Sequence, residues 1–205
     1  MNAMKRVVVT GSDGNLGKAV VGRLSEDFEV IEVDKDLVDL RDFEATKNWA
    51  GSVGNVDALV ALAGGFGMST LAEMTNEHFA SMFPLNAKTA FSTLSAFASL
   101  LNKGSAVVLV GSQAYTGSAN MSAYAASKAA VVSLANSAAD ELKKNGIRVN
   151  VILPDIIDTP QNRKSMPDAD FDKWQKPSEV AEVIAFLLSP RSINVSRNTI
   201  KLGRV

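Results

Sequence analysis

Lys5-Arg6-Val7-Val8-Val9-Thr10-Gly11-Ser12-Asp13-Gly14-Asn15-Leu16-Gly17 is the stretch that decides the fold of this chain. A β-branched apolar run, glycines at every third position and then a helical pattern over 15–25 predict a strand that turns tightly into a helix. Glycines at such a turn permit a sharp bend, close approach of the backbone to a pyrophosphate, and close packing of helix on strand. The helix N-terminus adds free N–H groups and a positive dipole end. The spacing is Gly-x-x-Gly-x-x-Gly, not the commoner Gly-x-Gly-x-x-Gly, and its place between strand and helix is the context that gives such a motif meaning. Gly11, Asp13, Gly14, Asn15, Leu16 and Gly17 are therefore the candidate phosphate-cradling residues, against the competing reading of a plain turn.

The same alternation continues outward to the C-terminus. Further strands are predicted at 28–34, 56–62, 105–111, 147–152 and 198–202; helices are predicted at 42–51, as one or a pair within 75–102, at 122–145 and at 177–189. Repeated β-α units with near-continuous apolar strands predict an α/β fold: a single domain over 1–205, built as a Rossmann-type doubly wound parallel sheet with helices on both faces and right-handed crossovers. The one irregular stretch, 158–176, holds Pro160 and Pro167 among polar residues and is a candidate substrate lid over the strand ends. Its Arg163 and Lys164 offer donors, and its Met166, Phe171 and Trp174 an apolar face for a flat ring; the alternative is that the aromatics merely anchor it.

Composition narrows the function. The chain of 205 residues has a formal net charge of -1 and no cysteine. That balance, without Lys/Arg blocks, argues against nucleic acid or a membrane surface as the main partner and for a small-molecule ligand. The lack of thiols and of a signal-peptide pattern in Met1 to Arg6 suggests a cytoplasmic protein. The single histidine, His78, cannot build a His-rich metal site and is read as a surface residue; no metal is expected.

Asp34, at the tip of the second predicted strand, suits a grip on ribose hydroxyls and repels a 2′-phosphate, which favours NAD(H) over NADP(H). Lys35, next to it, argues the other way. Ala63, Gly64 and Gly65 close the third strand with small residues that let backbone pass near an adenosine ribose. In Ser122-Ala-Tyr124-Ala-Ala-Ser-Lys128, a spacing of four inside a helical run puts phenol and ammonium on one helix face. The cation would favour the phenolate and let Tyr124 act as general acid or base. Alone, such a pair is common on solvated helices.

Thr10 to Gly17, Ala63-Gly64, Asn86, Ser112 and Tyr124-x-x-x-Lys128 together resemble the short-chain dehydrogenase/reductase family, in that family's order and over nearly the whole chain. The resemblance implies a nicotinamide cofactor, Tyr124 as proton donor or acceptor, and Lys128 binding the nicotinamide ribose and depressing the Tyr124 pKa. It further implies Ser112 orienting the reacting group and Asn86 supporting a proton-relay water, although Asn86 after Pro84 also fits a helix cap. Asp39-Leu40 matches the family's adenine-contacting pair; Pro154, Ile157 and Thr159 match the segment that meets the carboxamide. The chain departs from the family at Ala61-Leu62-Ala63-Gly64, where Asn-Asn-Ala-Gly is usual, at Pro154-Asp155, where Pro-Gly is usual, and in a Ser112-to-Tyr124 spacing one residue shorter than usual.

The segment from Ile152 through Trp174, with Ala63-Gly64-Gly65-Phe66, is also similar to the quinoid dihydropteridine reductases, which pass hydride from NADH to a quinonoid dihydropterin. That group lacks the serine and asparagine found here at 112 and 86. The sequence thus predicts an NAD(P)H-dependent reductase of C=O or C=N groups, dihydropteridine-reductase-like first and a reductase of unrelated ketones or aldehydes second. A non-catalytic dinucleotide sensor is the reading from another class. Helices 86–101 and 122–143 carry small and apolar residues on more than one face, and in the resembled family they form the interface of a homodimer or homotetramer.

Overall fold

In the computed structural model, which describes residues 4–204, six strands form one sheet: β1 (Lys5–Thr10), β2 (Phe28–Val33), β3 (Val56–Ala61), β4 (Leu101–Val110), β5 (Arg148–Leu153) and β6 (Thr199–Lys201). Residues 1–3 and 205, at the two ends of the predicted domain and including the start of the N-terminal stretch read above, lie outside the described residues. The order is β2-β1-β3-β4-β5-β6 and every neighbour pair is parallel. The order reverses between β1 and β3, which opens a crevice beyond their C-terminal ends.

Alternate residues of the central strands feed two cores. Val7, Val9, Ala58, Val60, Val108 and Ile152 pack against α1 (Asn15–Leu24) and α7 (Pro177–Leu188). Val8, Leu59, Val107, Leu109, Val149 and Val151 pack on the other face against α2 (Phe43–Val53), α4 (Thr89–Phe97) and α5 (Ser122–Leu142). Strands apolar on both faces are what a doubly covered parallel sheet requires, and each fully buried Val or Leu contributes about 1.5–3 kcal/mol of transfer free energy.

Three details differ from the sequence expectation. First, α3 (Asn76–Phe83) runs through a π-helical segment, Pro84–Lys88, into α4, so Asn86 sits inside a continuous helix and is not a cap. Second, β4 begins at Leu101, not 105: a register shift after Val56 lets Leu101 pair with Val56 before Ala106 meets Ala58. Third, 158–176 contains α6 (Pro160–Ser165) and a short 3-10 turn, Phe171–Lys173, and it is stapled at its base. The Asp158 N–H donates to the Gln175 carbonyl at 2.7 Å and the Gln175 N–H to the Ile156 carbonyl at 3.0 Å. Trp174 is buried beneath it, so this aromatic anchors the segment and is not offered to a ligand.

Arg148 opens β5 from inside the fold. Its buried guanidinium donates to the carbonyls of Leu187 at 2.8 Å, Ser189 at 3.2 Å and Ser192 at 3.1 Å, at the end of α7. A cation at helix-end carbonyls meets the negative end of the dipole, while burial lowers its pKa from the ordinary arginine value.

Candidate active site

The glycine turn lies at the mouth of the crevice. Gly11 has φ +70 and donates to the Val33 carbonyl at 2.7 Å, which ties the turn to the end of β2. A Cβ on Gly11 would stand 3.0 Å from the backbone of Ala63, and one on Gly17 only 2.1 Å from the Gly11 carbonyl oxygen. Both positions are closed to any side chain by backbone alone. No side chain caps α1 and no acidic residue occupies its first turn, so the amides following Gly14 keep their donors for an anion. Asn15 and Asp13 are exposed beside them, Leu16 is half-buried, and Asp13 faces Lys18 at 3.9 Å.

At the end expected to meet adenosine, the two carboxylates already have partners within the chain. Asp34 is half-buried at the tip of β2, but its Oδ1 accepts from the amides of Asp36 (2.8 Å) and Leu37 (3.3 Å), so the two-oxygen grip on a ribose is reduced to Oδ2. Both carboxylate oxygens of Asp39 are held by Arg41, Nε to Oδ1 and Nη2 to Oδ2 at 2.8 Å each. That guanidinium holds the Asp39 carboxyl down to about 2. Leu40 is buried in the core, leaving its backbone for the crevice.

The side chains expected at the catalytic end come together from three parts of the fold. Lys128, only 6% exposed, donates from Nζ to the Val110 carbonyl at 3.0 Å, at the tip of β4. Burial pushes its pKa down to about 8. Its Nζ lies 5.9 Å from the Tyr124 ring centroid. The Tyr124 phenol lies near enough to the Ser112 hydroxyl to feel it, despite the shorter spacing between the two residues. Its pKa is raised, because burial outweighs the opposing effect of Ser112; the expected depression by Lys128 is not present in this state of the site. Ser112 also accepts from the Ala114 amide at 3.2 Å, so the alternative turn role and the catalytic placement coexist.

Asn86 is buried and its side chain is a clamp. Oδ1 accepts from the Gly65 amide at 3.0 Å, while Nδ2 donates to the Gly65 carbonyl at 3.0 Å and to Ser127 Oγ at 3.0 Å. Ser127 in turn donates to the Tyr124 carbonyl at 2.7 Å. A Cβ on Gly64 would fall 2.6 Å from Asn86 Oδ1 and 3.3 Å from Lys128 Nζ. The space at Gly64 is thus limited by the Asn86 and Lys128 side chains and not by the nucleotide turn.

Beyond β5, Pro154 is buried, Ile157 is half-buried in a bridge to Gln175, and Thr159 caps α6 by accepting from the Asn162 amide at 3.2 Å. The cap uses an oxygen lone pair and leaves the Thr159 O–H free to donate. Arg163 is not a free donor: Asp158 holds it at 2.6 and 2.8 Å, and it lies over the Phe171 ring at 4.6 Å. His78, read as a surface residue, is half-buried with Nε2 enclosed; a Cβ on Gly67 would stand 2.8 Å from that nitrogen.

Sequence reasoning did not place Phe66, Ser127 or Arg41 at the site. Phe66 is 57% exposed yet packs edge-on against Tyr124, ring centroids 4.9 Å apart. An aromatic directly after paired glycines was the available signal.

A family model described as Enoyl-(Acyl carrier protein) reductase matches residues 4–202. The chain belongs to the short-chain dehydrogenase/reductase family. L-xylulose reductase of Bos taurus is 30% identical over 97% of this chain and 94% of that protein. Dihydropteridine reductase of Dictyostelium discoideum is 33% identical over 87% of this chain and 85% of that protein. A blue fluorescent protein from a metagenomic library, solved in complex with NADPH, superimposes with a TM-score of 0.84 at 22% identity, over 97% of this chain and 96% of that one, a likeness of fold. Family membership makes this protein an NAD(P)H-dependent oxidoreductase. Its glycine-only clearance and uncapped α1 fit a dinucleotide pyrophosphate. Among the described residues no helix is long and apolar enough to cross a membrane.

Proposed function

We propose that the protein reduces a C=O or C=N group of a small planar molecule, with NADH preferred to NADPH and Tyr124 giving the proton. The observation that carries this reading is the convergence of Ser112, Tyr124 and Lys128 beside the crevice, with the phenol half-buried and the Lys128 Nζ 5.9 Å from its ring. When bound, the nicotinamide supplies the hydride; the protein supplies position and electrostatics. Burial keeps the proton on Tyr124 until a substrate oxygen or nitrogen takes it, and Ser112 orients that acceptor. Lys128, charged below about pH 8, favours the phenolate left behind. Asn86 fixes the Gly64-Gly65 backbone against the catalytic helix. Asp34 Oδ2 remains for a ribose hydroxyl and supports the preference for NADH.

Phe66 over Tyr124, with Met68 50% exposed in the same loop, gives the substrate side an apolar wall. With Arg163 committed to Asp158, the wall suits an uncharged ring. A dihydropterin is the leading substrate class, in keeping with the 33% identity to a dihydropteridine reductase. A ketone or aldehyde of another kind is the second, favoured by the presence of Ser112 beside Tyr124. The exposed Phe91 on α4 and the small residues along α5 support self-association as a homodimer or homotetramer, and the cysteine-free composition suits the cytoplasm.

The deciding experiment follows the loss of nicotinamide absorbance with quinonoid dihydropterin generated in situ, run beside a panel of ketones and with either NADH or NADPH. Rapid NADH-dependent turnover of the pterin is expected. Turnover of ketones alone would move the substrate reading to the second class, and binding of NADH without turnover of any substrate would return the protein to a sensor.

A further inference from the structure

Between β3 and α3 the chain runs through a loop that carries three exposed apolar side chains, Phe66, Met68 and Leu71. With those groups in water, the loop is held by its backbone: Asn86 clamps Gly65, and four residues on the Ser69 N–H donates to the Asn120 carbonyl at 2.8 Å. Phe66, edge-on to Tyr124, lies between the two ties. The geometry at Asn120 suits that bond. Among the described residues only Asn120 and Arg197 combine a side chain with a positive φ, 63 and 60. The Met121 N–H donates back to the Ser118 carbonyl at 3.2 Å, closing a turn with Asn120 at its third position, where a positive φ calls for Gly or Asn. In a trans peptide the N–H and C=O point opposite ways. With the Met121 N–H aimed into the turn, the Asn120 carbonyl is aimed out of it, at Ser69. Met121 itself is the N-cap of α5 and accepts from the Ala125 amide at 2.7 Å, so the tie reaches the start of the helix that carries Tyr124.

We propose that Asn120 is a positioning residue for the substrate: its left-handed backbone straps residues 66–69 to the start of α5 and so holds the apolar wall beside Tyr124 in its binding position. The proposal rests on the reading that substrate binds beside Tyr124. The backbone carbonyl is the acceptor, and asparagine matters because it tolerates the conformation that aims it. A residue branched at Cβ is strained there, and the turn relieves that strain by giving up the bond to Ser69. Apparent affinity for substrate then falls by the fraction of molecules whose loop is out of place. Lys128 and Ser112 meanwhile keep their own hydrogen bonds, to the Val110 carbonyl and from the Ala114 amide.

The test compares Asn120→Val, Asn120→Gly and Ser69→Pro, which deletes the donor and leaves the turn untouched. Each is assayed in steady-state reduction of quinonoid dihydropterin, or of the best ketone in the panel, at saturating NADH, and the Ser69 amide is followed by hydrogen exchange where it is present. Asn120→Val and Ser69→Pro are expected to raise KM about tenfold, the scale of one residue's left-handed strain or of one backbone hydrogen bond, with kcat near the wild-type value. Asn120→Gly, which adopts the conformation freely, is expected to keep the wild-type KM. The Ser69 amide should exchange slowly in the wild type and in Asn120→Gly, and faster in Asn120→Val. An unchanged KM in both Asn120→Val and Ser69→Pro, a fall in kcat in place of the rise in KM, or a glycine variant as impaired as the valine one overturns the proposal while the reductase reading stands. A wild type that turns over none of these substrates overturns both.

Discussion

The two ends of the crevice are built from different materials. At the nucleotide end, Gly11 and Gly17 are set by backbone atoms, since any Cβ would meet a carbonyl oxygen or a neighbouring strand end at 3.0 Å or less. At the proposed catalytic end, Asn86, Ser112 and Lys128 are set by side-chain hydrogen bonds to Gly65 and Ser127, to the Ala114 amide and to the Val110 carbonyl. The first kind of site fails by steric exclusion and takes local structure with it. The second loses chemistry one atom at a time while the fold persists.

Tyr124→Phe should give the largest effect. Removing a positioned general acid lowers kcat by about 10²–10⁴-fold, with the unfolding midpoint and dinucleotide affinity within error of wild type. If unfolding shifts by as much as kcat falls, the division between the two ends is broken. Gly17→Ala should do the reverse: a methyl group 2.1 Å from the Gly11 carbonyl oxygen forces α1 off β1 at a cost of about 3 kcal/mol, read in urea denaturation. Dinucleotide binding should be lost with it.

Gly64→Ala sharpens the comparison, because this residue follows β3 yet touches Asn86 and Lys128. A stability loss of about 1 kcal/mol is expected, on the low side of overpacking. The fall in kcat should exceed the fall in NADH affinity, and a pure affinity defect would assign Gly64 to the nucleotide end.

The smallest effect is the pH profile. Burial brings Lys128 from 10.5 to about 8, so kcat/KM for reduction should decline above about pH 8 as the ammonium that favours the phenolate is lost. The sign for stability is opposite: the buried charge weighs on the fold below about 8, and stability should rise between about 8 and 10.5. A rate profile that stays flat well above that range would remove Lys128 from the chemistry.

Local pattern carried the sheet and the glycine turn, because β-branched runs and glycine spacing depend on neighbours in the chain. The Tyr124–Lys128 pair was visible for the same reason, being one helical turn. The Asp39–Arg41 pair spans two residues, but nothing in its spelling tells whether Asp39 turns toward a ligand or a neighbour. The clamp from Asn86 to Gly65 and Ser127 joins positions 21 and 41 residues apart, and the π-helical step that aims it has no sequence signature. The direction of the Tyr124 shift was missed because burial, a property of the assembled fold, sets it, while the partner that helical spacing supplied does not register.

Arg148 imposes an order of assembly. Its acceptors lie 39 to 44 residues later in the chain, so a chain emerging from the ribosome exposes β5 with its guanidinium unmatched until α7 and the turn after it have been synthesised. The β5 edge of the sheet is therefore complete only once the chain through Ser192 has been made.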